Sequence, residues 1–250
     1  IRRATFVPGD HWAAYLTAAS WMNRADALTR LAQPSTLPDA VRSYDEALEL
    51  MRTVPLEINP LYRRRLGIAW LNRGTTLQQL GTAESVAGAV ESFERSIEVV
   101  RHHPGHELLL AGAWMNRGNA LLRTDPPRAV DAWASAVSAL DLLAALESQD
   151  LLAAETTLKA RNVVCQAVAE LLDAPAGECA LELVSAATDS LEEGMRLARH
   201  WESQGEARFR PTLVNFYRYG LVAYRAHQPQ FLAEFVRDHL DPARPGGLAE

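Results

Sequence analysis

An eight-residue phrase occurs three times in this chain, and its recurrence restricts the fold more than any other feature of the sequence. The copies are Trp21-Met22-Asn23-Arg24-Ala25-Asp26-Ala27-Leu28, Trp70-Leu71-Asn72-Arg73-Gly74-Thr75-Thr76-Leu77 and Trp114-Met115-Asn116-Arg117-Gly118-Asn119-Ala120-Leu121. Each is followed by a second phrase: Ala40 to Leu48 with Tyr44 at its centre, Ala89 to Ile97 with Phe93, and Ala129 to Val137 with Trp133. In the first phrase Trp, Gly or Ala, and Leu fall at i, i+4 and i+7, which is one face of an α-helix. In the second, Ala, an aromatic residue, Ala or Ser, and an aliphatic residue fall at i, i+4, i+7 and i+8, again one face. The unit that repeats is a pair of helices.

The small residues carry as much information as the large ones. Gly inside a helix costs about 1 kcal/mol relative to Ala, yet Gly74 and Gly118 recur at the same place in their phrases. Together with Ala40, Ala89 and Ala129 they let two helices approach closely while the aromatic side chains fill the space alongside. These phrases resemble the tetratricopeptide repeat, whose first helix carries Trp, Gly and Leu and whose second carries Ala, an aromatic residue and Ala. The resemblance is clear over about residues 10–140 and weaker beyond. The Trp-to-Trp spacings are 49 and 44 residues, against the roughly 34 of the standard repeat. We therefore read a long-helix variant.

The expected fold is all-α: a right-handed α-solenoid of about five antiparallel helix pairs, with residues 1–250 as one domain. Clear repeats span about 10–53, 58–102 and 105–147, a degenerate repeat about 149–204, and a capping pair about 207–240. In the degenerate repeat Arg161-Asn162 is a scrambled dyad, and Ala187, Leu191 and Gly194 keep the small-large-small spacing. Proline and glycine place breaks near Pro8-Gly9, Pro34–Pro38, Pro55–Pro60, Pro104-Gly105, Pro126-Pro127, Asp173–Gly177, Gly205, Pro211 and Gln228-Pro229. Asp10 and Asp39 are the expected N-caps, Phe231–Leu240 the final helix, and Pro242–Glu250 a frayed tail.

Composition removes several classes of function. A formal charge of −6 argues against nucleic acid as a partner. No apolar run reaches the length of about 18 residues that spans a bilayer, and the first residues lack the apolar core of a signal peptide. A cytoplasmic protein, here a piece of something longer, is the expectation. Cys165 and Cys179 form no C-x-x-C and read as reduced, half-buried thiols. The phosphate-loop, dinucleotide-binding, zinc-protease, hydrolase-elbow and EF-hand motifs are missing, so neither an enzyme nor a cofactor is expected. His102-His103-Pro104-Gly105-His106-Glu107 offers metal-ligand types, but Pro104 and Gly105 break the helix between the imidazoles. It reads as a loop between repeats rather than a metal site.

The chemistry lies in the dyads Asn23-Arg24, Asn72-Arg73, Asn116-Arg117 and the scrambled Arg161-Asn162. Stacked repeats bring them into a ladder. A lone guanidinium cannot be buried without a partner, and two arrangements meet that need. Each Arg pairs with an acid of its own or a neighbouring second helix, for which Asp45, Glu91, Glu94 and Asp131 are candidates. Alternatively, the ladder faces the concave groove and grips carboxylates or phosphates. Asp26, Thr75 and Asn119, with Met22, Leu71 and Met115, are the other candidates for a groove lining, and Tyr217, Arg218 and Tyr219 for its closed end. The function implied is a scaffold that holds a protein or peptide, acidic or carboxylate-ended, without membrane contact. A sensory domain taking a small anionic ligand through the ladder is the alternative.

Overall fold

The computed structural model describes residues 10–144, 146, 150–173, 181–227 and 236–237, and among them the structure is helical, with no strand. Nine α-helices are described: α1 (His11–Arg30), α2 (Leu37–Met51), α3 (Pro60–Leu80), α4 (Ala83–Val100), α5 (Glu107–Leu121), α6 (Ala129–Ala144), α7 (Leu151–Asp173), α8 (Leu181–Ser203) and α9 (Arg210–His227). A 3-10 turn, Ala207–Phe209, precedes α9. The expected breaks at Pro8-Gly9, beyond Asp173 and at Gln228-Pro229 lie outside the described residues, as do Cys179, the tail and most of Phe231–Leu240. None of the described helices is long and apolar enough to cross a membrane.

Local chemistry explains where the helices start. The Asp10 carboxylate accepts from the Ala13 N–H at 2.9 Å, and Asn59 Oδ1 accepts from Leu61 N–H at 2.9 Å ahead of Pro60, which needs no donor in a first turn. Thr82 Oγ1 accepts from Ser85 N–H at 3.2 Å, directly after Gly81 has ended α3 with a left-handed φ of 72°. Asp39 is not a cap: α2 begins two residues earlier, at Leu37, because Pro38 is tolerated in the first turn. Pro211 is likewise not a break, since it lies in the first turn of α9. The lengthening that the spacing requires is visible in α3, which runs for 21 residues.

The chain divides into two compact units, Ile1–Pro126 and Pro127–Glu250. In the first unit α2 runs antiparallel to α1: Arg24 meets Ser43, and Thr36 Oγ1 donates to Leu28 O at 3.2 Å. Helix α3 lies beside α1 in parallel register, with Arg65 Nη2 donating to Tyr15 OH at 3.1 Å and the Thr29 and Thr76 hydroxyls 2.9 Å apart. Each helix packs on the next, and α3 also packs on both α1 and α5, whereas α2 and α4 have no comparable contact. The layer α1–α3–α5 is thus the inner, concave side of this unit. A core of Ala18, Met22, Ala25, Tyr44, Ala47, Met51, Tyr62 and Ala69 joins α1, α2 and α3.

Between α3 and α4 the approach is closer still. A Cβ on Gly74 would lie 2.6 Å from the Phe93 ring, which is fully buried, and one on Gly67 would lie 2.7 Å from Val100. The Gly67 carbonyl accepts from Ser96 Oγ at 2.9 Å, a side-chain-to-backbone bond across the pair. In the second unit α6, α7, α8 and α9 pack in succession and α7 also touches α9. Leu158, Leu191, Met195, Ala198, Phe209, Leu213 and Phe216 form its core. Tyr217, expected at a groove end, is part of that core, and its hydroxyl accepts from Arg199 Nη2 at 2.9 Å.

Two substitutions separate packing from propensity. Gly74→Ala gains helix propensity but drives a methyl into an immobile ring, so we expect a net loss of about 1–3 kcal/mol in denaturant unfolding. Gly112→Ala, in α5 with no described atom within 4 Å of its Cβ, should gain up to about 1 kcal/mol.

Candidate functional site

The three ladder arginines share one aromatic contact. Each guanidinium stands over the Trp three residues before it, at 5.6 Å for Arg24 on Trp21, 5.8 Å for Arg73 on Trp70 and 5.7 Å for Arg117 on Trp114. Arg73 Nη1 donates to Ser92 Oγ of α4 at 2.8 Å, and its Nε donates to Asp45 of α2 at 2.7 Å. Arg117 places Nε and Nη2 on Glu94 of α4, at 3.0 and 2.9 Å. Arg24 donates to Ser43 of α2 and to Asp39 O at 3.5 Å. The arginine of each first helix therefore spans to second helices, on the side away from the concave layer. Asp45 and Glu94, two of the four acids considered as partners, receive the charge; Asp131 pairs with Arg128 instead, at 2.6 Å.

Ser43 and Ser92, both fully buried, were missing from the sequence-derived site. Each hydroxyl donates to the carbonyl one turn back in its own helix, at 2.7 Å to Asp39 O and 2.7 Å to Gly88 O, which leaves its lone pairs for the arginine. Their signal was available: serine recurs three residues after Ala40 and Ala89.

The asparagines do not act as a set. Asn23 is exposed, Asn72 Nδ2 donates to Asp26 Oδ1 at 3.2 Å, and at Asn116 it is the backbone carbonyl that accepts, from Gln78 Nε2 at 3.5 Å. Asp26 is the node of the first interface, because the same Oδ1 also accepts from Tyr44 OH of α2. Thr75 is half-buried and its hydroxyl donates to Leu71 O at 3.1 Å, while Asn119 is half-buried on α5. Met22 and Met115 are buried at 2% and 6% exposure, so they are core residues and not a groove lining; Leu71 is half-buried. A long unbranched side chain on a helix reaches back along its own axis, which here carries it into the interface.

In the second unit Arg161 and Asn162 part company with the ladder. Arg161 Nε and Asn162 Oδ1 are buried without a protein hydrogen-bond partner. Burial holds the Arg161 pKa below the ordinary guanidinium value, against the pull of Glu193. Burial likewise pushes the Cys165 thiol up to about 12, so it is a protonated, inert thiol at neutral pH. His102 and His103 are exposed in the turn after α4, and Glu107 accepts from Gly105 N–H at 2.9 Å. Among the described residues no three His, Cys, Asp or Glu side chains converge as a metal site.

No family model and no curated protein matches the chain. Among solved structures it is similar to the de novo designed helical repeat protein DHR64, at 15% identity and TM-score 0.33 over 91% of this chain and 100% of that one. It is also similar to BtubC (BKLC) from P. vanneervenii, at 14% identity and TM-score 0.33 over 95% and 98%. Overlap this slight carries no argument. The internal repetition of the first unit is what makes this a helical-repeat fold.

Two measurements test this geometry. Arg73→Ala should cost about 1–2 kcal/mol, more than the half-exposed ion pair alone, because the stem over Trp70 and the Ser92 bond go with it. In a double-mutant cycle the Arg73–Asp45 coupling should be about 0.5–1 kcal/mol. Tyr44 is held above its ordinary pKa of 10.0 by burial first and then by the Asp26 hydrogen bond. The raised folded-state value means that stability is fully present below about pH 10 and is lost as pH rises further. Tyr44→Phe should remove that part of the alkaline loss in unfolding curves at pH 9 to 11.

Proposed function

We propose that the chain is a long-helix tetratricopeptide-type scaffold that holds a protein or peptide segment along the α1–α3–α5 face of the first unit, by binding rather than catalysis. The observation that supports this most is the difference between the two layers: first helices pack on one another and second helices have no comparable contact, which fits a concave surface made of the first. Asn23, Asn72, Thr75 and Asn119 stand on those helices at corresponding places of the phrase and are wholly or partly exposed. Amides and hydroxyls at repeated intervals suit the peptide groups of an extended chain, which present a donor and an acceptor at every residue. An acidic or carboxylate-ended partner is not part of this reading, because Arg73 and Arg117 are spent on Asp45 and Glu94.

The test compares three proteins by affinity capture with quantitative mass spectrometry. They are the wild type, Asn23→Ala/Thr75→Ala/Asn119→Ala, and an outer-helix control, Glu49→Ala/Glu91→Ala/Glu98→Ala. A partner retained by the wild type and the control and lost by the first variant is the expected result. Identical capture by all three, with unchanged melting temperatures, would sink the concave-face assignment.

A further inference from the structure

The ladder follows a rule that the second unit breaks. In the first unit the acid that receives an arginine stands directly after the aromatic residue of the preceding second helix: Tyr44-Asp45 serves Arg73, and Phe93-Glu94 serves Arg117. On α6 the same place, after Trp133, is Ala134. The arginine of the helix that follows is Arg161 on α7, and its Nε–H is buried with no protein acceptor. A buried, unsatisfied guanidinium N–H is costly to fold around.

Arg161 lines a cavity of about 220 Å³ between α6, α7 and α8. Its walls include Leu143, Ala154 and Leu197, with Thr157, Glu193 and Arg196 as the other polar groups. Thr157 Oγ1 donates to Ala153 O at 2.9 Å, and Glu193 accepts from Arg196 Nε at 2.9 Å. Of the two guanidiniums that line the cavity Arg196 is paired with Glu193, so Arg161 is the lining cation that no hydrogen-bonded acid engages, although Asp189, outside the lining, also pulls on its charge. A neutral acceptor would satisfy an Arg161 N–H without meeting its charge, and a dianion would meet Glu193 with surplus charge. The planar guanidinium suits a carboxylate, and the aliphatic wall suits hydrocarbon.

We propose that this cavity binds a small monocarboxylate whose apolar body lies against Leu143, Ala154 and Leu197 and whose head group is held by Arg161. An apolar cavity of about 150 Å³ accommodates benzene, so a body of about six to eight carbons fits the space. This site belongs to the second unit and is independent of the concave-face reading, which neither its success nor its failure affects.

The intact chain is titrated with benzoate and with the straight-chain carboxylates from acetate to octanoate, by calorimetry and by NMR of the backbone amides. Benzamide serves as the neutral isostere. Benzoate or a mid-length carboxylate should saturate with shifts around Leu143, Ala154, Thr157 and Leu197, and benzamide should bind at least about tenfold more weakly. Arg161→Met keeps the length of the stem and removes the charge. It should weaken the carboxylate at least about tenfold while raising Tm, because the buried Nε–H without an acceptor is removed. Ala154→Leu fills the cavity and should abolish binding without touching Arg161, so it decides the matter even where Arg161→Met fails to fold. The proposal is overturned if no carboxylate of the series saturates, or if affinity survives Ala154→Leu or a folded Arg161→Met.

Discussion

Every feature of the first unit rests on how near two helices can come when one presents hydrogen where the other presents a ring. Gly74 against Phe93 is the plainest case: the ring lies where a methyl would stand, and at 0% exposure it has nowhere to retreat. The helix accepts a backbone that is entropically unfavourable in its middle and gains the burial of a whole aromatic side chain, which is worth more. In the pair α1–α2 the same register holds Ala25 and Tyr44, both buried, with alanine in place of glycine. Close contact within a pair is what brings the ladder arginines within reach of Ser43 and Ser92.

Contact between pairs adds charge and hydrogen bonding around Trp to the apolar core that α1, α2 and α3 share. Arg73 joins three partners from three helices: its own Trp70, Ser92 of its pair and Asp45 of the pair before. One side chain thus registers its helix against both neighbours, which is a nearest-neighbour interaction of the kind that stabilises stacked repeats. The half-exposed carboxylates limit the electrostatic part, so the aliphatic stem and the aromatic face matter at least as much.

Periodicity made the helix pairs legible, because a fixed face of Trp, Gly and Leu has no strand equivalent. It also made the ladder visible as a ladder. What it did not supply was direction. A recurring Arg on a helix fits a groove or an interface equally well, and only the places of Asp45, Glu94 and the buried serines separate the two. Met22 and Met115 were legible as apolar, yet a helix turned by a fraction of a residue carries the same side chain from a rim to a core. Asp39 shows the local limit: an acid near a helix start is as much at home in the first turn as at the cap, and Pro38 ahead of it moves the start without moving the pattern. Arg161 was legible as irregular, but its isolation depends on Ala134, a residue notable only beside Asp45 and Glu94.

Asp26 has a consequence for the way this end of the molecule comes apart. One carboxylate oxygen receives the phenol of α2 and the amide of α3, so α1 cannot peel away without orphaning donors on two other helices at once. Fraying from this side would therefore not proceed helix by helix. The first hairpin and the edge of the second would open as one cooperative segment, and hydrogen exchange in α1, α2 and the second half of α3 would share a single opening free energy.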